Sequence, residues 1–458
     1  MSRRKQVSRR NAVGELVPFG IPVVVVAVVV VGVLVGPSAP PTVSPHDVEV
    51  VSSASACPAL EGLGVSVGQA VPGEGTTLTP LAEDAEPVDA AADAWTPAAV
   101  AGGAVVRQTG DGGGVAFASG VLTSGGGLAV SACPRVADES WFVGAGTSER
   151  RSTAILLTNL ADVPGVVDVE LWSPAGRLDA IGGDGIAVAA GETRVVQVGD
   201  LAVGAEDVAV HVTRRRGAVA TAFLDASTAG LTGSELVPSS GVPSTETVLP
   251  GVAAGGTRVL LVANPGEVVA TVEVRQTGAD GDLVPLGLEA LQVPAETVLA
   301  VPLPETVGSE ATAFRVLSDE PVLPVVRVTS SQTDYAYATS APVWSGPVVV
   351  PIGLADGARR PVLHLVAADA ESAVTVEVFD AAMKSVGSTA VTVGPKVLTQ
   401  VDLADTALFE SPDVAYAVVT ASEPVHGTAV YRADDKLALL PLAEAPVDAR
   451  GPRVQPGF

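Results

Sequence analysis

The chain has 458 residues, of which 47% are hydrophobic, so it holds enough apolar surface for several folded domains and is not disordered throughout. Lys and Arg number 26 against 51 Asp and Glu, which gives a formal net charge of −25. This acidic balance argues against a nucleic-acid-binding protein, and the presence of only one long apolar segment excludes a polytopic transporter.

The N-terminus carries a basic flank followed by that apolar segment. Residues 1–10 include five basic side chains and no acid, and residues 16–36 include no charge. A helix over 16–36 extends about 31 Å, which matches a hydrocarbon core of about 30 Å. Because positive flanks stay in the cytoplasm, we expect a cytoplasmic tail at 1–15, a single-pass anchor in the cell membrane at 16–36, and the bulk of the chain outside. Cleavage of this segment as a signal peptide, which makes the protein secreted, is the alternative.

Two cysteines, Cys57 and Cys133, stand in the same tetrapeptide, Ser-Ala-Cys-Pro. An even number of cysteines in an exported chain favours a disulfide, with two unpaired thiols as the alternative. The surrounding residues 37–135 begin with prolines and contain two glycine clusters. We interpret them as a Pro/Gly-rich stalk and a disulfide-closed β region, and a degenerate fourth copy of the unit that follows is one reading of this region.

After Pro134 the sequence repeats one unit three times. The glutamates of three Val-Glu-Val or Val-Glu-Leu strands, Glu170, Glu273 and Glu377, recur at spacings of 103 and 104 residues, and several other landmarks keep the same order. The predicted boundaries are 136–245 for repeat 1, 246–345 for repeat 2, 346–450 for repeat 3 and 451–458 for a tail.

Each repeat alternates apolar and polar residues over short runs, with Gly, Pro, Asp or Asn between them. This pattern indicates short β-strands, and about seven strands in about 100 residues is typical of an immunoglobulin-like β-sandwich. We therefore predict a mainly β protein in which one N-terminal transmembrane helix precedes a rod of tandem immunoglobulin-like units. A propeller-like repetitive β architecture, with two blades in each repeat, is the alternative.

The chain has only three asparagines, and two of them occupy the same place in two repeats. Asn159 and Asn264 each follow an apolar strand directly, and Asp369 comes close to that place in repeat 3. Asn and Asp tolerate left-handed backbone and cap their own turns. We interpret these residues as a repeated turn requirement rather than a ligand site.

The sequence contains no recognisable catalytic, cofactor or metal motif. It has neither a G-x-S-x-G elbow nor a phosphate-binding Walker loop, and none of its four histidines has a partner at metal-ligand spacing. We predict no catalytic residues, no cofactor and no metal. The one basic run outside the N-terminus is Arg214, Arg215 and Arg216. It is either a solvated turn or an interaction site for an acidic polymer or a neighbouring acidic domain.

The run Ser131–Pro134, followed by Ser140–Gly144, Leu157–Asn159 and the Val-Glu-Val strands, resembles an uncharacterised family of actinobacterial membrane-anchored or secreted proteins with tandem β repeats. The 22 Arg against 4 Lys agree with a high-GC bacterial source. The resemblance covers the chain after the anchor and implies no known activity, so no functional residues carry over with it.

These observations together favour a non-catalytic, membrane-anchored extracytoplasmic protein with a structural or interaction role in the bacterial cell envelope. Its expected partners are the membrane through 16–36 and envelope proteins or cell-wall polysaccharide, and not nucleic acid. The alternative is an enzyme or enzyme accessory that acts on cell-wall glycan through carboxylates between the repeats. A cleft-facing pair of carboxyl groups with raised pKa values would favour that alternative.

Overall fold

Short antiparallel β-strands account for almost all of the regular structure, so the prediction of a mainly β protein is confirmed. The computed structural model describes residues 47–49, 52–70, 76–81, 86–90, 94–98, 103–109, 113–123, 125–148, 150–229, 231–307, 310–330, 334–353, 360–404 and 414–450. The predicted cytoplasmic tail, the anchor at 16–36 and the tail at 451–458 lie outside these residues. Within them, no helix has the length and apolar character needed to cross a bilayer.

Residues Glu49–Asp448 form one compact unit that contains four groups of strands. The first group, here called the N-terminal unit, consists of β2 (Ser52–Cys57), β3 (Leu63–Gln69), β4 (Thr76–Pro80), β5 (Val88–Ala90), β6 (Thr96–Ala98), β7 (Ala104–Thr109), β8 (Gly114–Val121) and β9 (Leu128–Ala132). The short strands β1 (Asp47–Glu49) and β35 (Asp448–Arg450) pair with each other.

The other three groups correspond to the three sequence repeats. Repeat 1 contains β10 (Glu139–Ala145), β11 (Arg151–Asn159), β12 (Gly165–Ser173), β13 (Gly176–Leu178), β14 (Ile186–Val188), β15 (Thr193–Gln197), the four-residue helix α1 (Val198–Leu201), β16 (Val208–Arg216), β17 (Val219–Ala229) and β18 (Leu231–Leu236). Repeat 2 contains β19 (Ser244–Val252), β20 (Arg258–Asn264), β21 (Ala270–Gly278), β22 (Gly281–Leu283), β23 (Leu291–Val293), β24 (Thr297–Pro302), β25 (Thr312–Thr329) and β26 (Tyr335–Ala338). Repeat 3 contains β27 (Val348–Pro351), β28 (Val362–Ala367), β29 (Ser372–Phe379), β30 (Ser385–Val393), β31 (Thr399–Asp402), β32 (Tyr416–Ala421), β33 (Val425–Ala433) and β34 (Lys436–Pro441).

All four groups share one topology, in which two sheets enclose a core. The N-terminal unit pairs its strands as β2-β7-β4-β5 and β6-β3-β8-β9, and repeat 3 pairs them as β27-β32-β29-β30 and β31-β28-β33-β34. Repeat 1 follows the same order, with β13 and β14 together in the fourth position. In repeat 2 the 18-residue β25 serves both sheets, because its first half pairs with β19 and β21 and its second half with β20 and β26. Residues 37–135 therefore contain a fourth copy of this topology.

The structure contains the predicted disulfide in the N-terminal unit. Cys57 ends the first strand of one sheet, Cys133 follows the last strand of the other sheet, and their Cα atoms are 4.6 Å apart. The bond joins two sheets that share a core of small side chains, among them Val65, Ala104 and Ala118.

Successive units stack sheet on sheet. Arg107 in the N-terminal unit donates a hydrogen bond of 2.9 Å from Nη2 to Leu160 O of repeat 1. Tyr335 and Tyr337 of repeat 2 pack into the hydrophobic cluster of repeat 1. In the same way, Leu437 of repeat 3 packs into the cluster of repeat 2, together with Val430 and Leu439.

The last unit also contacts the first, so the four units close into a ring. Trp95 of the N-terminal unit stacks on Tyr416 of repeat 3 with ring centroids 4.8 Å apart, and its backbone N–H donates to Ala381 O at 2.8 Å. The expectation of a rod was wrong. It assumed that the outer faces of the sheets are solvated, whereas apolar outer faces bury one another around the ring.

Candidate functional site

The last strands of the four units, β9, β18, β26 and β34, meet at the centre of the ring, where each contacts two of the others. A cavity of about 210 Å³ lies where these strands end, and we call it the central pocket. It is lined by one segment from each unit, together with Phe142 and residues within 221–223; these segments lie within 131–134, 236–239, 340–342 and 440–443. The pocket therefore exists only because the ring is closed.

The wall of the central pocket is mainly apolar. Phe142 stacks on Phe223 with the ring centroids 4.6 Å apart. The serine hydroxyls of the wall donate to nearby backbone carbonyls, Ser131 to Ala132 O at 3.0 Å, Ser239 to Trp141 O at 3.3 Å and Ser340 to Ser240 O at 2.9 Å. Each unit also places one proline in the wall, and proline has no backbone N–H to offer; these are Pro134, Pro238, Pro342 and Pro441. Among the described residues that line the pocket, none is charged.

A buried carboxylate joins three of the units at the centre of the ring. Asp334, which precedes β26, is 0% exposed. Its Oδ2 accepts backbone N–H groups from Leu128 of the N-terminal unit at 3.1 Å and from Leu437 of repeat 3 at 3.0 Å. Burial raises the pKa of Asp334 to about 6, although these hydrogen bonds work in the opposite direction.

The fourth unit contributes Glu235 to the same region. Glu235 on β18 lies directly opposite Asp225 on β17, and both side chains are 0% exposed. Neither carboxyl oxygen of Glu235 has a hydrogen-bond partner among the described residues. Burial, and then the nearby charges of Asp334 and Asp225, raise the pKa of Glu235 well above its ordinary value. Burial and these neighbouring charges thus favour the protonated form of Glu235.

Asp225, in contrast, is fully paired. Its Oδ2 accepts from Arg151 Nη2 at 2.8 Å and lies 2.8 Å from the Tyr337 hydroxyl and 2.9 Å from the Tyr335 hydroxyl. Its Oδ1 accepts from Thr153 Oγ1 at 2.8 Å. Burial alone lowers the pKa of Arg151, but the attraction of Tyr337 and Asp225 outweighs it and leaves that pKa well above its ordinary value. The buried charge of each partner is thus compensated by the other.

The candidate interaction site at Arg214, Arg215 and Arg216 lies where β16 ends, before the turn at Gly217. Arg214 forms an ion pair with Asp138, and Arg215 forms one with Asp168. The side chain of Arg216 is exposed. Two of the three cations are thus engaged within repeat 1, and an interaction role for the run stays a prediction.

The two repeated asparagines make the same four hydrogen bonds. Asn159 Nδ2 donates to Val163 O, Val188 O and Ala189 O at 2.8, 3.2 and 3.2 Å, and its Oδ1 accepts the N–H of Ala161. Asn264 repeats this pattern with Val268 O, Val293 O, Pro294 O and the N–H of Gly266. The interpretation as a turn requirement is confirmed for these two residues. In repeat 3 the place belongs to Ala367, which ends β28 as the asparagines end β11 and β20, and not to Asp369.

A polar cluster that the sequence analysis missed lies on the first sheet of repeat 1. His211 stacks on Trp141 with centroids 3.8 Å apart, and its ring nitrogens lie 3.0 Å from Glu139 Oε2 and 3.3 Å from Glu170 Oε2. The residues share a face because Trp141 and Glu170 both pair with His211 across the sheet. Trp141 is only 5% exposed, so its ring is not available for stacking a sugar. Among the described residues, no three His, Cys, Asp or Glu side chains are arranged to hold a metal ion.

Comparison with known protein families identifies a match. The model of a family of unknown function (DUF5719) matches residues 88–404, a stretch that runs from β5 to β31 and so includes part of every unit of the ring. No curated protein matches the sequence significantly. The expectation of an uncharacterised family is confirmed, while the actinobacterial source and the membrane anchor stay predictions.

Proposed function

We propose that this chain, which belongs to that family of unknown function, is a non-catalytic extracytoplasmic protein of the cell envelope that acts by binding an apolar group in its central pocket. The observation that carries the proposal is the shared construction of the pocket, to which each of the four units contributes its corresponding segment. Ligand sites lie preferentially where several domains meet.

Binding is favoured over catalysis by the position of the titratable groups. An enzyme that hydrolyses glycan needs two carboxyl groups that reach the substrate. The described carboxyl groups with raised pKa values, Glu235 and Asp334, are both 0% exposed and face the interior at the centre of the ring. The central pocket offers apolar side chains and prolines instead, together with three serine hydroxyls that donate to backbone carbonyls.

The size and chemistry of the pocket define the class of ligand. A cavity of about 150 Å³ lined by aliphatic and aromatic side chains binds benzene. At about 210 Å³, the central pocket accommodates an aromatic ring or a short acyl chain. In an envelope protein, such a group belongs to a lipid-linked molecule or to the apolar side chain of a partner protein.

We also propose a sandwich architecture for each unit and a membrane location for the ring. Each unit is an immunoglobulin-like β-sandwich, which is supported by the shared antiparallel strand order of its two sheets around a common core. The ring is tethered to the cell membrane through residues 16–36, which is supported by the uncharged apolar run and its basic flank.

Photolabelling of the full chain in lipid nanodiscs tests the binding site. The probe is 3-trifluoromethyl-3-phenyldiazirine, a benzene ring that carries a photoreactive group, and the readout is the set of labelled peptides identified by mass spectrometry. We expect saturable labelling of the segments 131–134, 236–239, 340–342 and 440–443, with excess toluene as competitor. Ala132→Phe, which fills the pocket from one of its own wall residues, should reduce this labelling at least tenfold.

The matched control is Ala187→Phe, at an exposed alanine on β14 that lies outside the pocket. It should leave labelling of the four segments unchanged. Labelling that is confined to 16–36, or labelling of the four segments that Ala132→Phe leaves intact, would show that the central pocket is not the binding site.

A further inference from the structure

Three buried carboxyl groups, those of Asp225, Asp334 and Glu235, lie at the centre of the ring, and in the part of the chain that the structure describes only two of them have hydrogen-bond partners. Asp225 is neutralised by Arg151, and Asp334 accepts two backbone N–H groups, yet Glu235 has no partner for either oxygen among the described residues. An apolar side chain at this position would avoid the cost of burying an unpartnered polar group. The unpartnered Glu235 therefore calls for a functional explanation.

The location of this carboxyl cluster coincides with the point of ring closure. Asp334 of repeat 2 bonds to the N-terminal unit through Leu128 and to repeat 3 through Leu437, and Glu235 of repeat 1 stands beside it. The N-terminal unit and repeat 2 are not neighbours in sequence, so the bond between Leu128 and Asp334 forms only when the ring is closed. All four units are thus represented within this one cluster.

We propose that Glu235 and Asp334 form a proton-held lock, in which the closed ring retains protons on these carboxyl groups and the centre of the ring opens when they are lost. Loss of the Glu235 proton places an unpaired negative charge beside Asp334 and Asp225. Because a buried charge without a partner is strongly unfavourable, the ionised carboxylate is stabilised only if the centre opens to water.

The charged side chains around Glu235 and Asp334 determine how this pair of carboxyl groups responds to pH. Asp225 on β17 and Asp334 before β26 add negative charge next to Glu235. Arg151 is engaged with Asp225, and Lys436 at the start of β34 donates from Nζ to Gly126 O, so neither forms a hydrogen bond with Glu235. Lys436 nevertheless lies close enough to Asp334 to stabilise its ionised form. Asp334 therefore ionises more readily than Glu235, and Glu235 becomes the final group to lose its proton.

The sign of the effect follows from the raised pKa values. A carboxyl group whose pKa is higher in the closed ring than in the open ring takes up a proton on closure, so low pH favours closure and rising pH weakens it. Asp334 contributes between its ordinary value of 3.8 and about 6, and Glu235 contributes from 4.5 upward. Within the pH range where one of these groups contributes, the equilibrium constant for opening of the ring centre rises by about tenfold for each unit of increase in pH.

Hydrogen exchange of the full chain in nanodiscs, followed by mass spectrometry, tests the lock. The readout is the protection factor of the peptides that contain Leu128 and Leu437, whose N–H groups bond to Asp334 in the closed ring. Above pH 6, we expect these protection factors in the wild-type chain to fall by up to about tenfold per pH unit. Glu235→Gln, which keeps the shape of the side chain but cannot ionise, should remove this dependence.

The matched control is Glu192→Gln, at an exposed glutamate of repeat 1, which should behave like the wild-type chain. The proposal fails if protection at Leu128 and Leu437 in the wild-type chain is constant from pH 6 to pH 9. It fails equally if Glu235→Gln loses protection with pH as steeply as the wild-type chain does. Neither outcome depends on whether the central pocket binds a ligand.

Discussion

Tyr335 Oη donates a hydrogen bond of 2.9 Å to Asp225 Oδ2, although 110 residues separate the two in the sequence. The bond joins β26, the last strand of repeat 2, to β17 of repeat 1. With Tyr337 at 2.8 Å and Arg151 at 2.8 Å on the same oxygen, it forms a buried polar network between sheets that otherwise meet through Val, Leu and Ala. Such a network fixes how the two repeats dock, because each of its groups needs its own partner.

Asp225→Ala is predicted to be strongly destabilising. It removes the carboxylate and leaves the buried Arg151 without its principal counter-charge, which typically costs about 3–5 kcal/mol. Tyr335→Phe removes one hydrogen bond from a carboxylate that keeps its other donors, so it should cost only about 1–2 kcal/mol. Chemical unfolding measures both, and Asp184→Ala, at an exposed aspartate, is the control. Equal effects of Asp225→Ala and Asp184→Ala would contradict the role given to the network.

The strands, the threefold repetition and the disulfide could be predicted because their signals are local or recur along the chain. Alternation marks each strand, Glu170, Glu273 and Glu377 mark the period, and the two cysteines have only each other. Ring closure could not be predicted in this way, since it depends on which outer faces of the sheets are buried. One signal was present: Tyr335–Ala338 and residues 437–440 are apolar at successive positions, as expected of strands that are covered on both faces.

The candidate site could not be derived from the sequence for a related reason. Glu235 is one of 51 acidic residues, and nothing around it in the sequence distinguishes it from a solvated acid. Its burial follows from the register that places it opposite Asp225, and from a neighbour, Asp334, that lies about a hundred residues away. The central pocket likewise draws on four distant segments, which only the closed ring brings together.

Replacing either of the two repeated asparagines, Asn159 or Asn264, should destabilise the protein by a similar amount. Asn264→Ala leaves the carbonyls of Val268, Val293 and Pro294 without their shared donor, which should cost about 1–3 kcal/mol. Asn159→Ala should cost about as much, since it removes the same set of bonds. Because the two sites share no partners, their effects on the free energy of unfolding should add to within about 0.5 kcal/mol. Urea unfolding of both single variants and the double variant measures this, and a negligible effect of either substitution would refute the turn role.

A second turn recurs in the three repeats with a left-handed backbone, and glycine should be stabilising there in two of them. Gly191, Glu296 and Lys396 occupy corresponding turns of the three repeats, and all have a positive φ, of 69°, 53° and 59°. Left-handed backbone is unfavourable for residues other than glycine by about 1–2 kcal/mol. Glycine relieves this strain, but it also makes the unfolded chain more flexible, which offsets part of the gain. Glu296→Gly and Lys396→Gly should therefore each raise the free energy of unfolding by about 0.5–1 kcal/mol.

The reverse change in repeat 1 is the control for these turns. A Cβ atom at Gly191 would meet nothing within 4 Å, so Gly191→Ala tests the backbone conformation alone. We expect it to lower the free energy of unfolding by about 1–2 kcal/mol. Stabilisation by Gly191→Ala, or destabilisation by both glycine substitutions, would show that φ is not the controlling factor.

The disulfide predicts a large contribution from a single covalent bond to the N-terminal unit. Cys57 and Cys133 are 76 residues apart, and closing a loop of this length stabilises the folded state by up to about 4.5 kcal/mol through the entropy of the unfolded chain. The double variant Cys57→Ala, Cys133→Ala should therefore unfold at a much lower urea concentration than the wild-type chain. Reduction with dithiothreitol should bring the wild-type chain to the same midpoint and leave the double variant unchanged. Cys133 lies beside Pro134, which is part of the wall of the central pocket. In the double cysteine variant, photolabelling of 131–134 should therefore fall more than photolabelling of 340–342. A wild-type midpoint that does not respond to reduction would show that the bond contributes little.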